Sequence, residues 1–203
     1  MLKVHHLNQS RSKRVIWLLE ELSQTYEIVH HQRDPATHLA PSSLKAIHPL
    51  AKAPVIVDGD ITLCESGAIM EYILNTYSND KRLRPAVDCA EYYAYLEWLH
   101  FAEGSLALPV ITKLFMNMES RENNQPMDGY ITKELNLDFN YIESTLAQRP
   151  YFAGEQFSAA DIMMTITLEI ANNINLLEGK AHTQAYLSSV QGRPAYLSAL
   201  EKS

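Results

Sequence analysis

Residues 51–66, Ala-Lys-Ala-Pro-Val-Ile-Val-Asp-Gly-Asp-Ile-Thr-Leu-Cys-Glu-Ser, constrain this chain more than any other stretch. Val55, Ile56 and Val57 are contiguous and β-branched, which suits a buried strand. Asp58 and Gly59 both tolerate positive φ, so the pair predicts a tight hairpin, with Ile61, Thr62 and Leu63 returning as the partner strand. Met70, Ile73, Leu74 and Tyr77 then recur at helical spacing, with Ser66 expected as the N-cap. Pro54 opens the first strand, where a missing N–H is tolerated only at a start or an edge. A cis Ala53–Pro54 bond would leave the Ala53 backbone free to pair with an extended ligand, and the nearby helix N-terminus attracts a carboxylate. Two readings stand side by side. One is a hairpin and a capped helix with no ligand; the other is a groove for a short peptide with a free carboxylate.

The preceding residues complete a small mixed sheet. Residues 2–7 predict a strand, followed by a polar stretch at 8–14. Val15, Leu18, Leu19 and Leu22 then mark one face of a helix. Residues 26–31 predict a second strand, and 32–41 a polar loop with two prolines. A short helix over 42–47 ends before His48-Pro49, because the residue before a proline avoids the α region. The order is β-α-β, a short α, then β-β-α.

Beyond Tyr77 the pattern changes. Residues 78–87 are charged and proline-punctuated, which suits a linker. No strand pattern follows. Residues 88–118 predict one long helix kinked at Pro109, and 127–147 a second. Phe157-Ser158-Ala159-Ala160-Asp161-Ile162 carries a capping box and staple, and so starts a third. Helices near 181–190 and 194–201 finish the chain, with Pro194 suited to a first turn. The expected domains are residues 1–79, mixed α and β, and 87–203, all helical.

Composition narrows the function. The chain has 203 residues, 46% hydrophobic and 20% charged, which is ordinary for a globular protein with a real core. A net charge of −7 without a basic run argues against a nucleic-acid surface. Cys64 and Cys89 form no Cys-x-x-Cys pair, which fits a reducing compartment and offers no zinc site. No apolar run reaches membrane-spanning length and no signal-peptide core opens the chain, so a cytoplasmic location is expected. His5 and His6 point to opposite faces of one strand, as do His30 and His31. Neither neighbouring pair can share an ion. The sequence leaves a cross-strand pair open, but no carboxylate or cysteine completes a site by spacing, and no metal is expected.

Ser10-Arg11-Ser12-Lys13-Arg14, Lys52-Ala53-Pro54, Asp58-Gly59, Glu65-Ser66 and the Ser158-to-Asp161 cap together resemble the cytosolic glutathione transferase family, of the theta-like serine type. The resemblance covers essentially the whole chain. It implies an α+β thioredoxin-like N-terminal domain, a helical-bundle C-terminal domain and a homodimer. It also implies glutathione, a tripeptide with two carboxylates, as co-substrate. Ser10 would donate a hydrogen bond to the glutathione sulfur. A free thiol has a pKa of about 8.5, and lowering it by ~2 units needs about 2.7 kcal/mol. One hydrogen bond to a charged acceptor supplies roughly 1.5–3 kcal/mol. Ser12 and Asn8 compete for that role, since helix starts shift by a residue or two. By the same resemblance Ser66 would take the γ-glutamyl carboxylate and Glu65 its ammonium. The Ala53 backbone would pair with the cysteinyl unit, Lys52 and His38 would attract the glycyl carboxylate, and Glu103 would reach the γ-glutamyl ammonium bound to the partner subunit.

The departures are informative. His5 and His6 stand where some classes place a tyrosine, and position 10 is not a cysteine, so tyrosine and thiol-exchange mechanisms are disfavoured. The resemblance implies a detoxifying transferase that conjugates glutathione to hydrophobic electrophiles. The alternatives are a non-enzymatic regulatory member of the fold and a glutathione-dependent peroxidase. An electrophile pocket would draw on Phe101, Leu106, Val110 and Phe115.

Overall fold

The computed structural model describes residues 1–78, 82–123 and 125–203. They divide into two compact units, Met1–Arg82 with Gly192–Ser203, and Leu83–Gln191.

The first unit holds a four-stranded sheet in the order β2-β1-β3-β4. Its strands are β1 (Lys3–Leu7), β2 (Glu27–His31), β3 (Val55–Asp58) and β4 (Ile61–Cys64). β1 and β2 run parallel, joined through α1 (Lys13–Glu21), while β3 runs antiparallel to both β1 and β4. Gly59 sits at φ 57°, the left-handed conformation that the predicted Asp58-Gly59 turn requires. Val15, Leu18 and Leu19 of the expected apolar face of α1 are inaccessible to solvent, but burial is continuous from Arg14 to Leu19, and Leu22 is the half-buried C-cap. α2 (Ser42–Ile47) and α3 (Ser66–Tyr77) complete the expected order. Met70, Ile73 and Leu74 of α3 are buried, and Tyr72 and Tyr77 both donate to Asp58 at the hairpin turn.

Two local expectations change. Ser66 is the first residue of α3 rather than its cap. Glu65 holds the cap position, at φ 71° and ψ 118°, with no side-chain capping bond. In addition, α9 (Pro194–Lys202) belongs to the sheet unit, although its sequence position placed it in the 87–203 domain. Tyr196 of α9 meets Trp17 edge to face at 5.0 Å, which buries aromatic area that neither helix could bury alone. Part of the predicted linker, residues 79–81, lies outside the described residues.

Among its described residues the second unit is built of helices, α4 (Ala90–Phe101), α5 (Ala107–Met118), α6 (Pro126–Leu146), α7 (Ala159–Asn173) and α8 (Ala181–Gln191), with one isolated β-bridge between Tyr151 and Gly154. A π-helical turn, Ala102–Leu106, joins α4 to α5. The sequence predicted a kink at Pro109, and the break falls one turn earlier. Proline has no N–H for the Ser105 carbonyl and its ring crowds that carbonyl, so the widened turn forms upstream. α7 is buried along almost its whole length. Its predicted capping box is present, with the Asp161 carboxylate accepting the Ser158 N–H at 2.8 Å. Of the four apolar residues expected to line an electrophile pocket, Leu106 and Val110 are fully buried.

Candidate functional site

The sheet register gathers the candidate residues of the first unit. Leu7 pairs with His31, so β1 and β2 finish at the same end of the sheet. His5 pairs with Val55, so antiparallel β3 begins there, and Val55 pairs with Cys64, so β4 ends there. Ser10 follows β1, His38 follows β2, Lys52 and Ala53 precede β3, and Glu65 and Ser66 follow β4. Residues far apart in the chain therefore emerge at one end of the sheet. Glu103 lies in the π-helical turn of the second unit.

Several groups at this end carry no partner among the described residues. The Ala53–Pro54 peptide bond is cis. The Ala53 N–H and C=O have no hydrogen-bond partner among the described residues. The Lys52 ammonium, the Glu65 carboxylate and the Ser66 hydroxyl likewise have none there. Ser66 is 5% exposed and Glu65 is exposed. Glu65 holds a φ of 71°, which a non-glycine residue adopts at a cost of order 1–3 kcal/mol. Such backbone strain is concentrated at ligand sites.

Ser10 is half-buried and sits before the N-cap of α1, which is Ser12. Its Oγ accepts the Ser12 N–H at 3.2 Å and lies 2.6 Å from Ser12 Oγ. Ser12 is fully buried, which removes it as a group that touches a ligand. Asn8 Oδ1 accepts the Arg33 backbone N–H at 2.8 Å, which leaves its amide N–H groups as donors. Of the three groups weighed for the sulfur, Ser10 and Asn8 are both half-buried.

Arg33 was not singled out in the sequence, yet it clamps two of the converging loops. Its Nε donates to the Asn8 carbonyl at 3.2 Å, Nη2 to the Gln9 carbonyl at 3.3 Å and Nη1 to the His38 carbonyl at 3.0 Å. The His38 side chain is exposed, its φ is 57°, and its N–H donates to the Asp34 carbonyl at 2.8 Å. Asp34 shapes that loop by accepting the Ala36 and Thr37 N–H groups. These bonds, those of Thr37 foremost, hold its carboxyl below the usual carboxylate range.

The cross-strand histidine pairing that the sequence leaves open forms twice, once on each face of the sheet. Across the strands His5 Nδ1 lies 3.0 Å from His31 Nε2, and His31 Nδ1 lies 3.0 Å from Ser43 Oγ. On the other face His6 meets the His30 ring edge-on at 5.5 Å, and its Nδ1 lies 2.9 Å from Ser12 Oγ. Burial, and then the neighbouring His30 and His31, push His6 down to about 4. Burial and His31 lower His5; burial and His30 lower His31.

Comparison with known proteins agrees with this architecture. The family model for the glutathione S-transferase N-terminal domain matches residues 1–75, and that for the C-terminal domain matches residues 69–194. Glutathione S-transferase 3 of Schizosaccharomyces pombe is 36% identical over 217 residues, spanning 100% of this chain and 88% of that protein. Glutathione S-transferase 1 of Saccharomyces cerevisiae is 28% identical over 226 residues, spanning 100% of this chain and 95% of that protein. The crystal structure of a glutathione S-transferase from Actinobacillus pleuropneumoniae superposes with a TM-score of 0.89 at 33% identity, covering 100% of this chain and 92% of that one. The expected thioredoxin-like unit and helical unit are those of this fold. Matched in both halves and along its whole length, the chain belongs to the glutathione S-transferase family of enzymes.

Proposed function

We propose that this protein binds glutathione at the converging end of its sheet, holds it as a thiolate beside Ser10, and adds it to an electrophilic carbon of a hydrophobic substrate. The observation that carries this reading is the set of unpaired groups gathered there. The Ala53 backbone, the Lys52 ammonium, the Glu65 carboxylate and the Ser66 hydroxyl lack partners among the described residues. That set is complementary to an extended tripeptide. The Ala53 backbone pairs with the cysteinyl unit as one more strand would. Ser66 and the first turn of α3 take the γ-glutamyl carboxylate, since a helix start presents free N–H groups and positive potential. Glu65 takes the ammonium. Lys52 and His38 attract the glycyl carboxylate, and Glu103 reaches the ammonium of glutathione bound to the partner subunit of a homodimer. The Ser10 hydroxyl donates to the sulfur and favours its charged form. The thiolate forms the new carbon–sulfur bond, and the leaving group departs with the electron pair of the bond it breaks. The cytoplasm, where glutathione is reduced, is the fitting compartment.

Retention on immobilised glutathione and conjugation of a chloronitrobenzene test this. Retention with turnover that falls at least tenfold in Ser10→Ala supports the reading. If Ser10→Ala stays within about twofold of wild type in kcat/KM, the hydroxyl is not the activating group. Retention without turnover marks a glutathione-binding protein that is not a transferase.

A further inference from the structure

Three heteroatoms are linked in series inward from the Ser10 hydroxyl. Ser10 Oγ lies 2.6 Å from Ser12 Oγ, which lies 2.9 Å from His6 Nδ1. Each hydroxyl has one proton to give, and a neutral imidazole has one, on either ring nitrogen. Counting protons along this line decides its direction. If Ser10 gives its proton to Ser12, it presents only lone pairs to an approaching thiolate. If Ser10 donates outward, the 2.6 Å contact requires Ser12 to donate to Ser10. The single proton of Ser12 is then spent, and the contact with His6 requires Nδ1 to be the donor; otherwise two lone pairs would face each other.

We infer that His6 is a positioning residue. Held as the Nδ1–H tautomer, it orients Ser12 and, through it, turns the Ser10 hydroxyl toward the thiolate of bound glutathione. This rests on Ser10 being the activating group. His6 is 3% exposed and Ser12 fully buried, so the line is shielded from water that would scramble it. Burial, the facing His30 and the nearby His31 keep the ring neutral at physiological pH, so the tautomer and not the charge sets the direction. Ser12 has one competing outlet, the Leu7 carbonyl at 3.4 Å. Without the His6 proton, Ser12 can donate there and Ser10 can turn inward.

Nitrogen-15 NMR of the labelled protein with glutathione bound reads the tautomer directly, because protonated and bare ring nitrogens differ widely in shift. The expected result is His6 protonated at Nδ1; an Nε2–H ring in the complex overturns the proposal. Ultraviolet titration of the bound thiolate supplies the second arm. His6→Leu is expected to lower the thiolate fraction at neutral pH about three- to tenfold, with the glutathione Kd held within about twofold. His6→Asn, whose amide N–H reaches the Nδ1 position, is expected to restore the fraction. A fall in thiolate and in affinity together, unrescued by asparagine, marks a structural role and overturns the proposal. Ser10→Ala separates the two levels. If it leaves the thiolate fraction unchanged, the activating role of Ser10 fails and the line behind it loses its purpose. If it lowers the fraction while His6→Leu does not, only the positioning role of His6 is refuted.

Discussion

Arg193 grips the carboxylate of Glu21 with two parallel bonds, Nε to Oε1 at 2.7 Å and Nη2 to Oε2 at 2.9 Å. Oε1 also accepts the Trp17 indole N–H at 3.0 Å. Glu21 ends α1 and Arg193 immediately precedes α9, so the fork fixes where the last helix meets the sheet unit. The Glu21 side chain is 10% exposed, so the contact is largely shielded from solvent. Glu21→Ala removes an acceptor shared by two donors, and a loss of about 1.5–3 kcal/mol is expected in urea unfolding. An unchanged midpoint would mean that α9 docks by the contact of Tyr196 with Trp17 and needs no charge.

Arg33 holds the carbonyls of Asn8, Gln9 and His38, and so ties the loop bearing Ser10 to the loop bearing His38. Arg33→Ala should loosen both. The expected effect is a rise of about five- to twentyfold in KM for glutathione, with a smaller change in kcat. Arg33→Lys should not restore it, because a single ammonium cannot span three carbonyls as a planar fork does. Steady-state kinetics with glutathione varied would decide, and an unaltered KM would remove Arg33 from the binding site.

Asp161 is fully buried and accepts four hydrogen bonds, from the N–H groups of Phe152 and Ser158 and the hydroxyls of Ser158 and Tyr186. Burial pushes its carboxyl up, while those bonds pull it the other way. Asp161→Ala strands buried donors from three residues. The expected cost is about 3–5 kcal/mol, enough to reduce soluble yield sharply. Asp161→Asn keeps one acceptor oxygen but turns an amide N–H toward a donor, and should recover only part of that loss. Chemical unfolding of the two variants orders them, and equal stability to wild type would contradict the bond network.

The buried histidines should lower stability as pH falls, against the opposite contribution of Asp138, which burial and then Glu134 push up to about 6. Burial first, then His30 and His31, depress His6 to about 4, against about 6.5 for an ordinary histidine. Between those values this ring binds more protons in the unfolded chain than in the folded one, so its contribution to stability is full above about 6.5 and falls as pH drops toward about 4. For His6 the whole effect is on the order of 3 kcal/mol. His5 and His31, lowered chiefly by burial, act in the same direction. In thermal melts across this range His6→Asn should lose less stability in acid than wild type. A pH dependence identical in wild type and His6→Asn would contradict a buried neutral ring.

Much of the fold is legible locally. The hairpin at Asp58-Gly59, the capping box of Ser158 with Asp161 and the buried Val15, Leu18 and Leu19 of α1 each depend on residues within a turn or two of one another. Glu65-Ser66 could be read as the start of α3, but not which of the two would be the cap. That turned on the backbone angle of Glu65, which its position past the end of β4 imposes. The sequence offers Ser10 and Ser12 alike as hydroxyls near the start of α1, whereas the full burial of Ser12 is not readable from it. Burial depends on what the rest of the chain lays over a residue.

Periodicity, turn chemistry and capping were enough to write down the order of strands and helices and the residues that face inward, because those signals act between near neighbours. Three things lay beyond them. The grip of Arg193 on Glu21 spans 172 positions, the clamp of Arg33 on Asn8 spans 25, and the pairing of His5 with His31 spans 26. Each depends on which strands and helices become neighbours in space. Hydrophobic burial sets that choice without regard to sequence distance, and no local pattern along the chain records it.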